Sequence, residues 1–196
     1  STILSDQMQA EDGSLNSLPP RTIWRRFILY NRFGMGVLAV YNRIRWPRIV
    51  IPVILWPPAR GHFDEIENDI RFRHHVLRSK DYRVSGEDFP EFVQAVYAID
   101  KASVRKINIK LTELVRPPLE IRVLDVRFRW PRLEVQDILN HVRCKDVHVL
   151  KDQVRADYRD RIDNYIFDVI LHSTETQEQG VELHGLLRRY AKPIGP

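Results

Sequence analysis

The sequence predicts an α+β fold of the ferredoxin-like type, a βαββαβ unit in which one antiparallel sheet carries two helices on one face. Two observations predict it. Between residues 70 and 151, some segments alternate apolar and polar residues, as strands do. In the segments between them, apolar residues recur every three or four positions, as in helices. Their order is strand, helix, strand, strand, helix, strand. This divides the chain into an N-terminal extension (1–69), the ferredoxin-like domain (70–151) and a helical C-terminal extension (152–196).

The predicted strands are the segments in which apolar residues alternate with polar ones. They cover residues 70–77, 106–114, 119–128 and 146–150. The first predicted helix covers residues 88–102, where Asp88 is suited to cap the N-terminus and Pro90 fits the first turn. The second runs from Leu133 to Val142, directly after Pro131.

The two extensions differ in character from the domain between them. Residues 1–20 are polar and end in two prolines, which indicates an extended arm. Residues 22–44 carry apolar side chains at helical spacing with arginines largely off that stripe, which predicts a basic amphipathic helix. Prolines interrupt the apolar segment 46–59, which is therefore predicted to be extended. Residues 152–192 are predicted to form two helices.

The tetrapeptide Arg-Trp-Pro-Arg occurs twice, at residues 45–48 and 129–132. The flanking residues match at too few positions to indicate a duplication. The second copy ends a predicted strand and opens a helix at Pro131, with Trp130 available to cover the core. The first copy follows the basic helix and leads into the proline-interrupted segment. We therefore interpret the copies as one helix-start signal and one linker signal.

The charge of the chain indicates an anionic partner. The formal net charge is +5, and 24 of the 31 basic residues are Arg. Arg is favoured where planar, bidentate contact with phosphate or carboxylate is needed, so nucleic acid or an acidic protein is the expected partner. A single cysteine, Cys144, excludes an internal disulfide and favours a reducing compartment. The apolar runs are too short to span a bilayer, so no transmembrane segment is predicted.

Signatures of enzymes are weak in this sequence. There is no phosphate-binding GxxxxGK[ST] loop and no GxSxG nucleophile turn. His141, Cys144 and His148 are close in sequence, but they straddle a predicted helix end and strand, and a fourth metal ligand is not evident. We therefore predict a protein that is not an enzyme, with no catalytic residues, no metal site and no cofactor.

A basic face of the predicted sheet is the candidate binding surface. If the apolar residues of the strands face the two helices, the basic residues between them face the other way. The ferredoxin-like arrangement leaves that second face uncovered, where arginines suit phosphates or an acidic partner. The predicted RNA- or partner-binding residues are Arg71, Arg73, Lys110, Arg122, Arg127, Arg129 and Arg132.

The stretch VLDVRFRWPRLEVQDILNHVRCKD (residues 123–146) resembles the second half of the small-ribosomal-subunit protein six family. In that family a strand runs into a Pro, then a helix, an Arg, an Asp and a final strand ending in Lys. The matching positions are Leu124, Pro131, Val135, Asp137, Ile138, Arg143, Asp146 and Lys151, with Leu114 and Leu119-x-x-Arg122 upstream. At the position where that family has a linking Gly, this sequence has Val115. The resemblance implies a ferredoxin-like fold, contact with ribosomal RNA and pairing with ribosomal protein eighteen.

Charge and resemblance together predict a structural, non-catalytic constituent of a mitochondrial small ribosomal subunit, located in the mitochondrial matrix. Its arginines would bind ribosomal RNA, and its extensions would contact neighbouring ribosomal proteins. The alternative is a non-catalytic accessory subunit of a mitochondrial inner-membrane respiratory or ATP synthase complex. In that case the helix predicted over residues 22–45 would lie at the bilayer surface.

Overall fold

A computed structural model describes residues 40–41, 44–45, 47–100, 104–135, 142–163, 165 and 169–195. From residue 48 to residue 114 the elements are β1 (Arg48–Leu55), a 3-10 helix (Pro57–His62), α1 (Phe63–Arg73), β2 (His75–Val84), α2 (Phe89–Ile99) and α3 (Val104–Leu114). They continue with β3 (Glu120–Arg129), β4 (Leu133–Val135), β5 (Val142–Cys144), α4 (Lys145–Tyr158), a 3-10 turn (Arg159–Arg161), β6 (Leu171–Ser173), α5 (Gln177–Tyr190) and β7 (Ala191–Pro193).

The main sheet has five strands in the order β6-β1-β3-β2-β7, and every neighbouring pair is antiparallel. Without β7, the elements β1, α1, β2, β3, α4 and β6 form a βαββαβ unit whose four strands lie in the spatial order fourth, first, third, second. This order confirms the predicted α+β, ferredoxin-like fold class. β7 is added beside β2, and β4 and β5 form a separate two-stranded hairpin.

The segments that build this unit differ from the predicted ones. The strand predicted over 70–77 is the end of α1 and the start of β2, and the strands predicted over 106–114 and 146–150 lie in α3 and α4. The strand predicted over 119–128 and the helix predicted over 88–102 are confirmed as β3 and α2. The ferredoxin-like unit therefore extends from residue 48 to residue 173, across both boundaries of the predicted domain.

Local chemistry explains the helices that were predicted as strands. In α1, acidic residues occupy the first turn and Arg71 and Arg73 the last, which complements the helix dipole. In α4, the buried residues Val147, Leu150 and Val154 recur at three- and four-residue steps and point to one core. The run 146–150 is too short to distinguish this period from the alternation of a strand.

The apolar segment IVIPVILW was predicted to be extended, and it forms most of β1. β1 pairs with β3 along its whole length, but with β6 only from Val53 to Leu55. Pro52 therefore lies where the outer edge of the strand has no partner among the described residues, and its missing N–H breaks no ladder hydrogen bond there. Ile51, Val53 and Leu55 are fully buried, so this part of the predicted N-terminal extension belongs to the core.

Helices cover the sheet on both faces. We name the faces after one helix each: the α1 face also carries α4, and the α5 face also carries α2 and α3. Leu124, Val126 and Phe128 of β3 pack in the first core, whereas Ile121 and Val123 pack in the second. The prediction of one uncovered sheet face is therefore wrong, because the second face carries its own hydrophobic core.

The remaining predictions have mixed outcomes. The helix predicted from Leu133 to Val142 is wrong at its described ends, because residues 133–135 and 142–144 pair as the β4–β5 hairpin. The last predicted helix is confirmed as α5, which starts with a capping box of Thr176 and Gln179. The predicted arm and nearly all of the helix predicted over 22–44 lie outside the described residues. Among the described residues, no helix is long and apolar enough to cross a membrane.

Candidate functional site

The end of the first Arg-Trp-Pro-Arg segment, Pro47 and Arg48, contacts the start of the second. Arg48 and Arg129 are partners at the end of the β1–β3 ladder, so the first copy ends where the second begins. The backbone N–H of Trp130 donates a hydrogen bond to the carbonyl oxygen of Pro47 at 2.8 Å. The interpretation of the two copies as unrelated signals missed this contact, because it depends on the pairing of strands far apart in sequence.

Four basic side chains form a strip at this end of the sheet. Residues two apart on a strand, and partners on neighbouring strands, share a face. Arg127 and Arg129 of β3, Arg48 of β1 and His75 of β2 are related in this way. They are on the α5 face, since Asp125, two positions before Arg127, contacts His184 of α5. We call these four residues the basic strip.

The arginines of the basic strip differ from the other predicted binding residues in their partners. Within the described part of the chain, no carboxylate lies within 4.0 Å of Arg48, Arg127 or Arg129. The side chain of Arg127 lies 3.5 Å from His75 Nδ1, and Arg48 and Arg129 are exposed. The strip therefore presents positive charge that no acidic side chain of the described residues neutralises.

The other predicted arginines are engaged by acidic or polar side chains. Arg71 pairs with Glu67 at 2.7 Å, Arg73 lies 3.4 Å from Asp157, and Arg132 pairs with Asp146 at 2.6 Å. The contact of Arg71 closes a turn of α1, and the contacts of Arg73 and Arg132 join a helix to another part of the chain. All three have a structural role. The structure does not bring these residues together with the basic strip.

Arg122 lies on the α1 face and is held by three carboxylates. Its guanidinium is 2.6 Å from Asp64, 3.1 Å from Glu67 and 2.6 Å from Asp81. The hydrogen bond with Asp81 is the largest cause that raises the pKa of Arg122, and burial opposes it. Arg122 therefore joins α1 to the sheet, and its charge is already balanced within the protein.

Lys110 lies on α3 near a second polar group of residues. Its Nζ is 5.0 Å from the centre of the Tyr97 ring and 3.5 Å from the Tyr97 hydroxyl. The edge of the Tyr97 ring in turn packs against the His172 ring, with 4.7 Å between the ring centroids. Lys110 therefore belongs to the surroundings of His172 and not to the basic strip.

His172 is a buried polar residue of β6. Only 7% of its side chain is exposed, and its Nε2 makes no hydrogen bond with any residue that the structure describes. Asp100 Oδ2 is 3.4 Å from that nitrogen without hydrogen-bond geometry, and the neighbouring Ser173 hydroxyl is also buried without a partner. Buried polar groups without hydrogen bonds are rare in folded proteins. We call the residues His172, Asp100, Tyr97, Lys110, Lys151 and Glu175 the histidine cluster.

Burial controls the ionisation of this cluster. It lowers the pKa of His172 to about 3, with the positive charges of Lys151 and Lys110 acting in the same direction. It raises the pKa of Asp100 to about 6, although the charge of Lys151 opposes it. Burial also lowers the pKa of Lys151. The imidazole is therefore neutral at pH 7 and stands among cationic groups.

Glu175 connects the cluster to α4 and the hairpin. Its Oε1 is 3.0 Å from His148 Nε2 and 3.9 Å from Lys151 Nζ, and its backbone carbonyl accepts a hydrogen bond from the Cys144 N–H. Burial lowers the pKa of His148 and raises the pKa of the Cys144 thiol to about 11, which keeps the thiol protonated.

The histidine cluster was not predicted from the sequence. Asp100 and His172 are separated by 72 positions, and only the packing of α2 and β6 brings them together. No local spacing in the sequence indicates this. Among the described residues, no group of three His, Cys, Asp or Glu side chains could hold a metal ion.

Comparison with known proteins does not assign a family. No protein-family model matches the chain, and no curated protein matches it. Among solved structures, a nucleoside diphosphate kinase from Aquifex aeolicus superposes on it with a TM-score of 0.46 at 11% sequence identity. The superposition covers 71% of this chain and 94% of that chain. At these values the similarity does not transfer an activity from one protein to the other.

Proposed function

We propose that the chain is a non-catalytic RNA-binding protein that contacts the phosphate backbone through the basic strip. The observation that carries this proposal is the set of three arginines on neighbouring strands without a carboxylate partner among the described residues. The particle that the sequence resemblance implies is the mitochondrial small ribosomal subunit, where the chain would be a structural constituent in the matrix.

The geometry of the strip suits a row of phosphates. Arg48 and Arg129 are partners on strands about 4.8 Å apart, and Arg127 lies two residues from Arg129 on β3, so the three side chains stand close enough to contact successive phosphates of one backbone. Each guanidinium offers a fork of donors for phosphate oxygens. Arginines that are already paired with carboxylates, such as Arg122, add little to such binding because a phosphate would have to displace their partner.

RNA titration of a charge-reversed variant tests the proposal. We expect Arg48→Glu together with Arg129→Glu to lower the affinity for a short single-stranded RNA by roughly tenfold or more at constant salt, because two phosphate contacts become repulsive. The matched control reverses Arg159 of the 3-10 turn and Arg188 of α5, which are exposed, lie outside the basic strip and carry the same charge. An equal loss of affinity in both variants would show that only net charge matters and would contradict the proposal.

Fractionation of mitochondria tests the proposed particle and separates it from the alternative. A ribosomal constituent is expected to sediment with large particles that RNase treatment breaks down. An accessory subunit of an inner-membrane complex is expected to stay with RNase-resistant complexes after detergent treatment. The second result would overturn the ribosomal assignment.

We propose as a second candidate function that the histidine cluster binds a small ligand that carries a phosphate group. The observation in its favour is the buried, neutral His172 imidazole, whose Nε2 has no hydrogen bond and which stands among the positive charges of Lys110 and Lys151. A phosphate oxygen or hydroxyl at this position would supply the missing partner, and the cations would balance its charge.

Thermal unfolding in inorganic phosphate tests the second candidate. A ligand that binds the folded state raises the melting temperature. We expect phosphate to raise it more than chloride at the same ionic strength, and we expect the excess to disappear in His172→Gln and in Lys151→Met. Equal effects of phosphate and chloride on the unmodified chain would contradict this function.

A further inference from the structure

We infer that the basic strip, together with Trp130 at its end, is a site for single-stranded RNA, in which the Trp130 ring stacks on an unpaired base. This inference deepens the proposed RNA-binding function and rests on it. It assigns a role to Trp130, the residue directly after the end of the strip.

The Trp130 ring is exposed, which is uncommon for so large an apolar side chain. The residue is 57% exposed, whereas Trp56, also within the described residues, is fully buried. From the sequence, Trp130 was predicted to cover the core, and its exposure contradicts that role. Trp130 directly follows Arg129. The base of a nucleotide whose phosphate contacts Arg129 is therefore within reach of the Trp130 ring.

The backbone around Trp130 is fixed in an unusual conformation. Trp130 has φ of 50°, a left-handed value that non-glycine residues rarely adopt. Its N–H is held by the Pro47 carbonyl at 2.8 Å. Two positions on, the Arg132 N–H donates to Asp146 Oδ2 at 2.8 Å, and the Arg132 carbonyl accepts from the Lys145 N–H at 2.8 Å. The strained conformation is therefore held on both sides, and the exposed ring stands on a fixed backbone.

A fixed exposed ring beside arginines suits an unpaired base. Proteins that bind single strands combine a basic groove that follows the backbone with aromatic rings on which bases stack. In a duplex the faces of the bases are already stacked on one another, so the ring has nothing to contact. An acidic protein segment would use the arginines of the strip but would not need the ring.

Binding of single-stranded and duplex RNA of equal length tests the inference. We expect the unmodified chain to bind the single strand more tightly. Trp130→Ala should lower the affinity for the single strand by roughly fivefold to a hundredfold, the range expected for losing one stacked base, and should leave duplex affinity unchanged. Trp130→Phe keeps an aromatic ring and should retain most of the single-strand affinity.

The outcomes distinguish this inference from the proposed function. If Arg48→Glu with Arg129→Glu abolishes RNA binding but Trp130→Ala changes neither affinity, the stacking role is wrong and the RNA-binding function stands. If the unmodified chain binds no RNA, the proposed function itself fails. If polyglutamate binds as tightly as the single-stranded RNA and Trp130→Ala affects neither, the strip is a site for an acidic protein, which overturns the inference.

Discussion

Asp100 and His172 show how burial changes two side chains that would form an ion pair in water. Their nearest atoms are 3.4 Å apart, yet burial shifts both toward their neutral forms. The carboxylate of Asp100 is therefore less stable in the folded chain than in the unfolded chain at neutral pH. A fold that keeps such a group gives up stability at that place, which is typical of binding sites.

The pH dependence of stability measures this cost. The pKa of Asp100 is raised from 3.8 to about 6, so the folded state holds a proton that the unfolded state loses as the pH rises. The contribution of Asp100 to stability therefore falls between about pH 4 and pH 6. We expect Asp100→Asn to raise the free energy of unfolding at pH 8 by on the order of 1–3 kcal/mol and to change it little at pH 4.

Urea unfolding at both pH values checks this expectation. Asp160→Asn is the matched control, because the Asp160 side chain is 92% exposed and its replacement should leave stability unchanged at either pH. If Asp100→Asn raised the free energy of unfolding equally at pH 4 and pH 8, the effect would not come from ionisation of the Asp100 carboxyl group.

At the residue scale, part of the basic strip was predicted from the sequence, but residues that lie elsewhere were grouped with it. Arg127 and Arg129 were predicted together and do share a face. Arg122 was placed with them, although it is five positions before Arg127 and successive side chains of a strand alternate. It therefore points to the α1 face, where Asp64 and Glu67 bind it. Arg48 was missed, because its segment was predicted to be a linker.

At the scale of elements, α5 approaches the sheet closely through one glycine. A Cβ at Gly180 would lie 2.8 Å from Pro52 Cδ of β1, which is closer than real contacts allow. The proline ring is buried in a strand and cannot turn aside. The absence of a side chain at this position therefore allows the close approach of α5 to β1.

Alanine substitutions at two glycines of α5 test this packing. Alanine favours a helix over glycine by about 1 kcal/mol, so both substitutions gain from propensity. We expect Gly180→Ala nevertheless to destabilise the fold, because the collision with Pro52 costs roughly 1–3 kcal/mol in a packed core. Gly185→Ala is the matched control, since the nearest heavy atom to its Cβ would be the tip of Arg188 at 3.9 Å.

Thermal unfolding of the two variants gives the measurement. Opposite signs are expected, a lower melting temperature for Gly180→Ala and a higher one for Gly185→Ala. If Gly180→Ala also raised the melting temperature, α5 would have room to move away from β1, and the close approach would not be a constraint.

Helices and strands could be predicted from the sequence where the spacing of apolar residues was regular over many positions or where clear start signals marked the segment. β3 has ten residues, and α2 begins after Asp88 with Pro90 in its first turn, so both were recognised. Segment 106–114 has apolar residues that satisfy both periods: Ile107, Ile109 and Leu111 alternate, while Ile107, Leu111 and Leu114 follow helical steps. The structure resolves the choice by burying Ile107 and Leu114 and leaving Ile109 37% exposed. Tertiary contacts therefore decide between helix and strand for this segment, and the local sequence pattern does not show those contacts.

At the scale of the whole molecule, the predicted βαββαβ order is confirmed although most of its segments are different. The true unit encloses two insertions, α2 with α3 between β2 and β3, and the β4–β5 hairpin before α4. These inserted elements were counted as parts of the unit, while β1 and β6 were counted as extensions. Strand order depends on pairing between distant segments, and periodicity along the chain does not report it.

Net charge and local charge make different contributions to the expected RNA binding. The formal charge of +5 is spread over the chain and favours any polyanion. Among the described residues, the three arginines of the strip lie together on one face, where they are placed to release counterions from one strand. The logarithm of the affinity should therefore fall with the logarithm of salt concentration with a slope of about −2. The variant with Arg48 and Arg129 reversed should lose most of that slope.

The two outer strands of the sheet have a consequence for self-association. β6 and β7 are three residues each, and β7 covers β2 from Tyr82 to Val84 with Pro193 at its end. Unpaired strand edges are templates on which a second chain can add a strand, and short, proline-ended strands prevent such addition. The residues directly after α5 thus protect the C-terminal end of β2, from Tyr82 to Val84, against the addition of a strand from another molecule.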